Sequence, residues 1–595
     1  MNRRWLVNKT NGEFLRYLSE KTSLSLALAQ ILVNRGYKDE ESIKDFISPS
    51  LENLSDPFLM PDMKKAVERI KTAADNTETV FVYGDYDADG ITSTALLVSA
   101  LRSLGLKTSY YIPHRIADGY GFNKEGVRKA KAIGASLIIT VDCGISSYEE
   151  VSMAVSDRID VIITDHHEPP EKLPEAIAII NPHILRPASG EAPEQTVSRL
   201  AGVGVAYKLA QALFSDLRLI SHDSQLEDLL ALVAIGTIAD SVPLTGENRI
   251  LVACGLKALN SERGSADKNS SRPWVHALKE TAGKGNREFR STVLSYTIIP
   301  RINAVGRLGD ANEIVEFFLT KDAAKAKGIA SFLEEQNRKR QKIEKNVYKS
   351  ALDMIDPANL DRAIVLYSSE WHPGVIGIVA SRLAEMFYRP TFIFSVKDAV
   401  AKGSARSIPS FNIYKGTAEC ADILLAFGGH SQAAGVKIYA ENLPAFKEQI
   451  NLIVENTLGS EDITPTIEID AGVELFEVNF KLVGELNLLE PFGNSNQKPV
   501  LGVKEIEVID PRIVGNNHLK MKIRQKSVTV DTIGFCMGNL LENIENSYTM
   551  DAVFVPCINE WNGTRSLQLN LKALRPSVLK NSRTQALHTT STITH

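Results

Sequence analysis

The chain has 595 residues, which at the usual domain size predicts about three or four domains rather than one. Hydrophobic residues make up 44% and charged residues 23%, ordinary for a folded globular chain and against extended disorder. The formal charge, 67 − 72 = −5, offers nothing toward a nucleic-acid binder, although a total says little about a local basic groove. No apolar run is long enough to span a bilayer, and the N-terminus MNRRWLVNKTNGEFLRYL lacks the apolar core of a signal peptide. Cys143, Cys254, Cys420, Cys536 and Cys557 are scattered without a CxxC pair, which argues against a disulfide framework or a cysteine zinc site and fits a reducing cytoplasm.

Residues 1–75 carry apolar positions at helical spacing, as in SLSLALAQILVNRG and MKKAVERIKTAA, and predict a helical N-terminal region leading into the first strand. From residue 76 short β-branched runs alternate with helical stretches: TVFVYGD (79–85), TSYYIP (108–113), SLIITVD (136–142), DVIITD (160–165) and AIAIIN (176–181). This alternation predicts βαβ units around a buried parallel sheet, continuing into a helix-rich part that ends near 320. The polar run NSERGSADKNSSRP within it reads as a surface loop. Residues 321–355 predict one long, solvated connector helix, and 356–458 a second α/β unit. From 459 to 577 short alternating strands predict a small β-barrel, and the polar end, 578–595, a disordered tail.

The carboxylates fall at the ends of strands. Asp85, Asp87 and Asp89 follow the first, Asp142 the third, and Asp165, His166 and His167 the fourth. In a parallel sheet these ends share one edge, where α/β folds bind ligands. Asp240, in GTIADSVPL, ends an apolar stretch and can approach from a neighbouring element. An Asp after a strand is often only a helix cap, a reading that applies most to Asp89 before Gly90. Acids on three strand ends, one with a histidine pair, point instead to divalent cations, because crowded carboxylates repel unless a cation compensates. Mixed Asp and His suits Mn²⁺, while an all-oxygen site suits Mg²⁺. So many ligands exceed one ion and suit two, ~3.5–4 Å apart, in a phosphoryl displacement. No P-loop or HExxH motif occurs, and GVGVAY (202–207) lacks the third glycine of a dinucleotide fingerprint.

GDYDADG, VDCG, TDHH and ADSVPL, in this order, resemble the DHH phosphoesterase superfamily. PRINAVGRLGDA (300–311), HPGVIGIVASRL (372–383), GSARS (403–407) and GGHSQAAG (428–435), with a barrel behind them, resemble the RecJ family of single-strand-specific 5′-to-3′ DNA exonucleases. The resemblance implies an α/β fold: a DHH domain with a parallel sheet, a connector helix, a DHH-associated α/β domain and a C-terminal OB-fold barrel. It implies Asp85, Asp87, Asp142, His166 and Asp240 as ligands of two Mn²⁺ or Mg²⁺ ions, with Asp142 bridging. His167 would lie beside them as a catalytic group, and Asp89 and Asp165 further out. Arg115, Arg301, Asn303, His372, Ser404, Arg406, Gly429 and His430 are the implied contacts to DNA or phosphate. Phe81 stands where smaller members of the superfamily have a histidine, so their metal geometry does not transfer.

The implied activity is hydrolysis of single-stranded DNA in recombination and repair, in the cytoplasm, by a monomer working with a RecQ-type helicase and a single-strand-binding protein. Two alternatives stay open here: a phosphodiesterase for short oligonucleotides or cyclic dinucleotides, and an inactive replication scaffold. Arg338, Lys339, Arg340, Lys342 and Lys345 on the connector are read as either a solvated face or the basic wall of a groove.

Overall fold

The computed structural model describes residues 3–115, 118–119, 121–184, 199–216, 223–261, 272–283, 288–545, 549–561 and 563–577. The expected disordered tail and most of the expected polar loop lie outside the described residues. The chain divides into two compact units.

The first elements are β1 (Arg4–Val7), α1 (Gly12–Thr22), α2 (Leu26–Asn34) and α3 (Glu40–Ile47). The N-terminal region is therefore helical only in part. Residues Arg3–Ser48 also belong to the same unit as the C-terminal barrel, whereas the sequence pattern attached them to the first sheet. The physical reason is strand pairing. β1 runs parallel to β12 (Thr466–Ile469), from Arg4 against Thr466 to Val7 against Ile469.

The larger unit, chiefly Pro49–Pro465, begins with α4 (Met63–Asp75). Its first sheet holds β2 (Thr79–Gly84), β3 (Lys107–Tyr111), β4 (Leu137–Val141), β5 (Asp160–Thr164) and β6 (Ala178–Ile180). All pairs are parallel and the order is β3-β2-β4-β5-β6. Alternate residues face opposite cores. Val80, Val82, Ile139 and Ile162 join one cluster, while Phe81, Tyr83, Ile138 and Ile163 join another. On the first face lie α5 (Ala88–Ser103) and, further along the chain, α8 (Gly202–Asp216) and α9 (Asp223–Ala239). On the second lie α6 (Lys124–Ala132) and α7 (Tyr148–Ser156). In this strand order the chain reverses direction across the sheet between β2 and β4, the switch point where such folds open a crevice.

Helices α10 (Gly246–Asn260), α11 (Pro273–Thr281), α12 (Ser291–Val293), α13 (Ile299–Leu308) and α14 (Asn312–Leu319) complete this lobe. The connector is α15 (Ala323–Asp353), 31 residues long. The associated lobe contains β7 (Ile364–Ser368), α16 (Ile376–Phe387), β8 (Thr391–Lys397), β9 (Val400–Arg406), α17 (Ile413–Ala418), β10 (Leu424–His430), β11 (Ala433–Tyr439) and α18 (Leu443–Thr457). Phe446 of α18 meets Phe392 and Phe394 edge-on across one face of that sheet, while α15 and α16 cover the other.

In the second unit α19 (Phe480–Asn487), which the strand pattern did not suggest, precedes the barrel. β13 (Ala471–Gly472), β14 (Leu501–Val514), β15 (His518–Gln525), β16 (Val528–Gly534), a short α20 (Leu541–Glu545), β17 (Met550–Trp561) and β18 (Thr564–Pro576) complete it. β14 also pairs with β17, so β14 to β18 close into a five-stranded barrel. Among the described residues no helix is long and apolar enough to cross a membrane.

Candidate metal centre

The switch-point crevice receives Asp85 and Asp87 from the end of β2, Asp142 from β4, and Asp165, His166 and His167 from β5. Asp240 arrives from the end of α9. Ligand atoms of Asp85, Asp87 and Asp142 lie within 4.8 Å of one another, as do those of Asp142, His166 and His167, and those of Asp89, His166 and Asp240. Asp142 adopts φ 61°, the left-handed region that costs a non-glycine residue roughly 1–3 kcal/mol. Its amide donates to Thr164 O at 3.0 Å, which holds the turn. Gly202 at the start of α8 makes room for it, since a Cβ there would lie 2.5 Å from Asp142 Oδ1.

The donor set fits a divalent cation. Asp85 Oδ1, Asp142 Oδ1 and His166 Nε2 are buried side-chain atoms without hydrogen-bond partners. His166 Nε2 stands 3.1 Å from Asp142 Oδ1 and 3.6 Å from Asp240 Oδ2, close but not hydrogen-bonded. Burial, followed by the charge of Asp87, raises Asp85 well above the ordinary carboxylate range. Burial and then the charges of Asp89, Asp87, Asp240 and Asp85 do the same to Asp142, and burial with Asp89 and Asp87 to Asp240. Burial and the neighbouring His167 push His166 down to about 3, leaving a neutral imidazole that can serve as a ligand. A cation placed among these atoms reverses the penalty for ionising the carboxylates.

Asp165 and His167 form a separate pair. Asp165 Oδ1 accepts from the His166 and His167 amides and meets His167 Nδ1 at 2.7 Å, while its Oδ2 accepts from the Ile145 amide at 3.0 Å. Burial alone raises Asp165, but the His167 hydrogen bond and charge, with His166 and the Ile145 amide, bring it below its usual value. Burial lowers His167, and the Asp165 hydrogen bond and surrounding carboxylates outweigh it, lifting His167 to about 9.

The capping residues are not the ones the sequence suggested. Asp87 is the N-cap of α5, its Oδ1 accepting from the Asp89 and Gly90 amides. Asp89 instead reaches across to α8, where its two oxygens accept from Gly202 and Val203 amides at 2.8 and 2.9 Å. Its carboxyl is raised to about 7 by burial and by Asp87 despite those amides. With both oxygens so used, Asp89 locks α8 against α5 and thereby fixes Gly202 beside Asp142.

Cationic groups gather beside Asp85 and Asp87. Arg115 lies over the Tyr86 ring at 5.0 Å. Arg307 donates to Gly374 O at 3.0 Å, and burial together with Arg115, Arg406 and Arg340 lowers it to about 10. Arg406, lowered by burial and Arg115, donates to Ser404 Oγ at 3.2 Å. His430 is lowered by burial and Arg406, and His372, whose Nδ1 accepts from the Gly374 amide, by burial. Gly429, φ 144°, sits beside His430 with its missing Cβ 2.3 Å from Ala433 O. Arg115, Ser404, Arg406, Gly429 and His430 are thus near one another or electrostatically linked.

Arg301 is committed to the connector, whereas Asn303 reaches the backbone between Asp87 and Asp89. Arg301 Nε donates to Glu334 Oε2 of α15 at 2.8 Å, and Asn303 Oδ1 accepts from the Ala88 amide at 2.8 Å. On α15, Arg340 is buried and donates to Glu344 Oε2 at 2.6 Å, and Arg338 and Lys339 pair with Glu334 and Glu335. Arg340 is thus buried and paired rather than on a solvated face, although its charge still bears on Arg307.

Three family models match the chain in order: the DHH family N-terminal domain over residues 79–237, the DHHA1 domain over 360–456 and the RecJ OB domain over 469–573. The single-stranded-DNA-specific exonuclease RecJ of Bacillus subtilis (strain 168) is 38% identical over 576 residues, covering 96% of this chain and 70% of the relative. The chain belongs to the RecJ family. The RecJ of Dickeya dadantii is 34% identical, with 93% of this chain and 96% of the relative covered. A crystal structure of RecJ from Thermus thermophilus in complex with Mn²⁺ is similar at a TM-score of 0.81 and 29% identity, over 98% of this chain and 81% of that one. The α/β lobe, the associated lobe and the OB barrel expected from the motifs are all present in this RecJ-family chain.

Two residues of the site carried little signal in the sequence. Arg307 lies four positions after Asn303 on α13, so both share a helix face, and that spacing was the available signal. Asn181, at the end of β6, donates its Nδ2 to His167 O at 2.9 Å; no spacing in the sequence marks it.

Proposed function

We propose that this RecJ-family chain is a metal-dependent exonuclease that removes nucleotides from the 5′ end of single-stranded DNA in recombination and repair. The observation that carries the reading is the convergence of Asp85 Oδ1, Asp142 Oδ1 and His166 Nε2, buried, without hydrogen-bond partners, and close to Asp87 and Asp240. These five residues would hold two Mn²⁺ or Mg²⁺ ions, which when bound supply Lewis acidity toward water and phosphate. His167, which burial lowers but Asp165, Asp240 and Asp85 together lift to about 9, would offer a proton or a hydrogen bond to a phosphate oxygen. Arg115, Arg307 and Arg406, with Ser404 and His430, grip the terminal phosphate, because guanidinium matches phosphate with paired donors.

The barrel supports a single-stranded substrate. On β15 the side chains of Leu519, Met521 and Ile523 are buried, so His518, Lys520, Lys522 and Arg524 line the opposite face. β15 and β16 are the second and third barrel strands, the face that OB folds commonly use for oligonucleotides. Phe535, 57% exposed and 5.3 Å from the His518 ring, adds a stacking surface. In this reading a RecQ-type helicase supplies the strand and a single-strand-binding protein holds it.

Asp142→Ala assayed with end-labelled single-stranded DNA and Mn²⁺ tests the site. The expected result is loss of digestion, and a wild-type rate would refute the assignment. Comparing a long strand with a dinucleotide separates the exonuclease from a short-oligonucleotide phosphodiesterase, the long strand being preferred here.

A further inference from the structure

The loop after Asp240 is held by a distant segment. Ser241 has φ 62°, a left-handed conformation beside a proposed ligand. Asn494 closes on both ends of the stretch that follows: its Nδ2 donates to Ser241 O, and its carbonyl accepts from the Leu244 amide at 2.9 Å. Gly493 packs so tightly on Leu244 that a Cβ would lie 2.5 Å from Leu244 Cδ1. Asn248 completes the hold by donating to Pro243 O at 3.1 Å.

The holding segment is itself braced. Gly493 and Asn496 bridge each other through backbone hydrogen bonds of 3.0 and 3.2 Å, and the fully buried Asn496 donates to Pro491 O at 2.8 Å. Pro491–Gln497 folds with the catalytic unit, although Thr466–Glu490 before it and Lys498 onward fold with the barrel. A seven-residue excursion of the chain thus lies on the loop carrying Asp240 and belongs to the same unit as that loop.

We propose that Asn494 and Gly493 form a clasp that positions Asp240 for metal binding, Asn494 being a positioning residue that touches neither metal nor DNA. The inference rests on the reading of Asp240 as a ligand. A left-handed residue next to a ligand is held only where surrounding contacts over-determine it, and the clasp supplies them. Loss of such an outer contact typically weakens metal binding by about 10- to 100-fold.

The test uses the full chain, with Mn²⁺ binding measured by calorimetry and digestion of single-stranded DNA measured over a range of Mn²⁺. Asn494→Ala removes an exposed side chain and should fold; Gly493→Ala displaces Leu244 by sterics alone. Both should bind Mn²⁺ at least about fivefold more weakly and show a lower kcat at limiting Mn²⁺ with an unchanged KM for DNA. Excess Mn²⁺ should restore the rate, a rescue that general destabilisation would not give. Wild-type Mn²⁺ affinity in both variants, or a rate loss that excess Mn²⁺ leaves in place, overturns the proposal. Asp240→Asn is the control that separates the two readings. If it binds Mn²⁺ like wild type, the ligand assignment falls; if it binds weakly while both clasp variants bind normally, only the clasp falls.

Discussion

Gly202→Ala is a small perturbation at a place with no room for it. The new Cβ would lie 2.5 Å from Asp142 Oδ1, 2.7 Å from Asp142 Cβ and 2.8 Å from Asp142 Cγ, where ordinary contact begins at 3.4 Å. Because the clash includes Asp142 Cβ, rotating the carboxylate away does not relieve it. Either the Asp142 turn or the start of α8 must move by about 0.9 Å, the difference between 3.4 and 2.5 Å. The first route displaces a proposed bridging ligand; the second strains the bonds from Gly202 and Val203 amides to Asp89. A misplacement of ~1 Å costs roughly 100-fold in rate, and overpacking about 1–3 kcal/mol of stability. Steady-state digestion of 5′-labelled single-stranded DNA, with thermal melting in parallel, reads both effects. Gly328→Ala, in a helix with open space around it, should keep wild-type activity and gain ~0.5–1 kcal/mol. A folded Gly202→Ala protein with kcat within about threefold of wild type would refute the steric argument and the role given to Asp142.

Metal removal should couple to pH with a definite sign. A carboxyl raised in the folded state stabilises below its unfolded value, and that contribution is lost as pH rises through the folded value. For Asp89 the window runs from its ordinary 3.8 to about 7, and Asp85, Asp142 and Asp240 act in the same direction. The Tm gain on adding Mn²⁺ should therefore be larger at about pH 8 than at about pH 5, and an equal or reversed gain contradicts the reading. Arg307→Ala and Arg406→Ala should lower the preference for 5′-phosphorylated over unphosphorylated strands by about tenfold. Arg301→Ala should leave that preference intact and lower Tm instead, because its guanidinium is committed to Glu334 and Thr297 O; parallel melting and kinetics distinguish them. Replacing Lys520 and Lys522 together by Ala should raise KM for long strands, reduce the salt dependence of binding by roughly one to two charges, and leave kcat on a trinucleotide unchanged. An unaltered salt slope argues against that barrel face.

The acids of β2, β4 and β5 were legible because a parallel sheet delivers every strand end to one edge, and runs such as LIITV and DVIIT can hardly be anything but buried strands. Asp240 was legible as the end of an apolar stretch, but its place in the site only through its motif, since a helix end can approach a sheet edge from any direction. Which aspartate caps which helix was not legible. Asp87 and Asp89 are two residues apart, and their assignments depend on where α8, more than a hundred residues later, places its amides. The partner of the N-terminal helices was equally hidden. Amphipathic spacing identifies the face that will be buried but not what will bury it. For the same reason Arg301 and Arg307, six residues apart on α13, read alike in sequence, while one faces Glu334 and the other the cluster with Arg115 and Arg406.

The pairing of β1 with β12 has a consequence for biosynthesis. Arg4 and its partner Thr466 are made far apart in time: at roughly 5–20 residues per second, about 20–90 s separate them on the ribosome. Until then, the apolar sides of α1 to α3 have emerged without the strands and helices that will cover them. The larger unit can condense during that interval, because nearly all of it lies between the two halves of the smaller one. The barrel unit must close last, around ends that have waited. Newly made chains arrested before Thr466 should therefore hold a protease-resistant catalytic core and a protease-sensitive beginning.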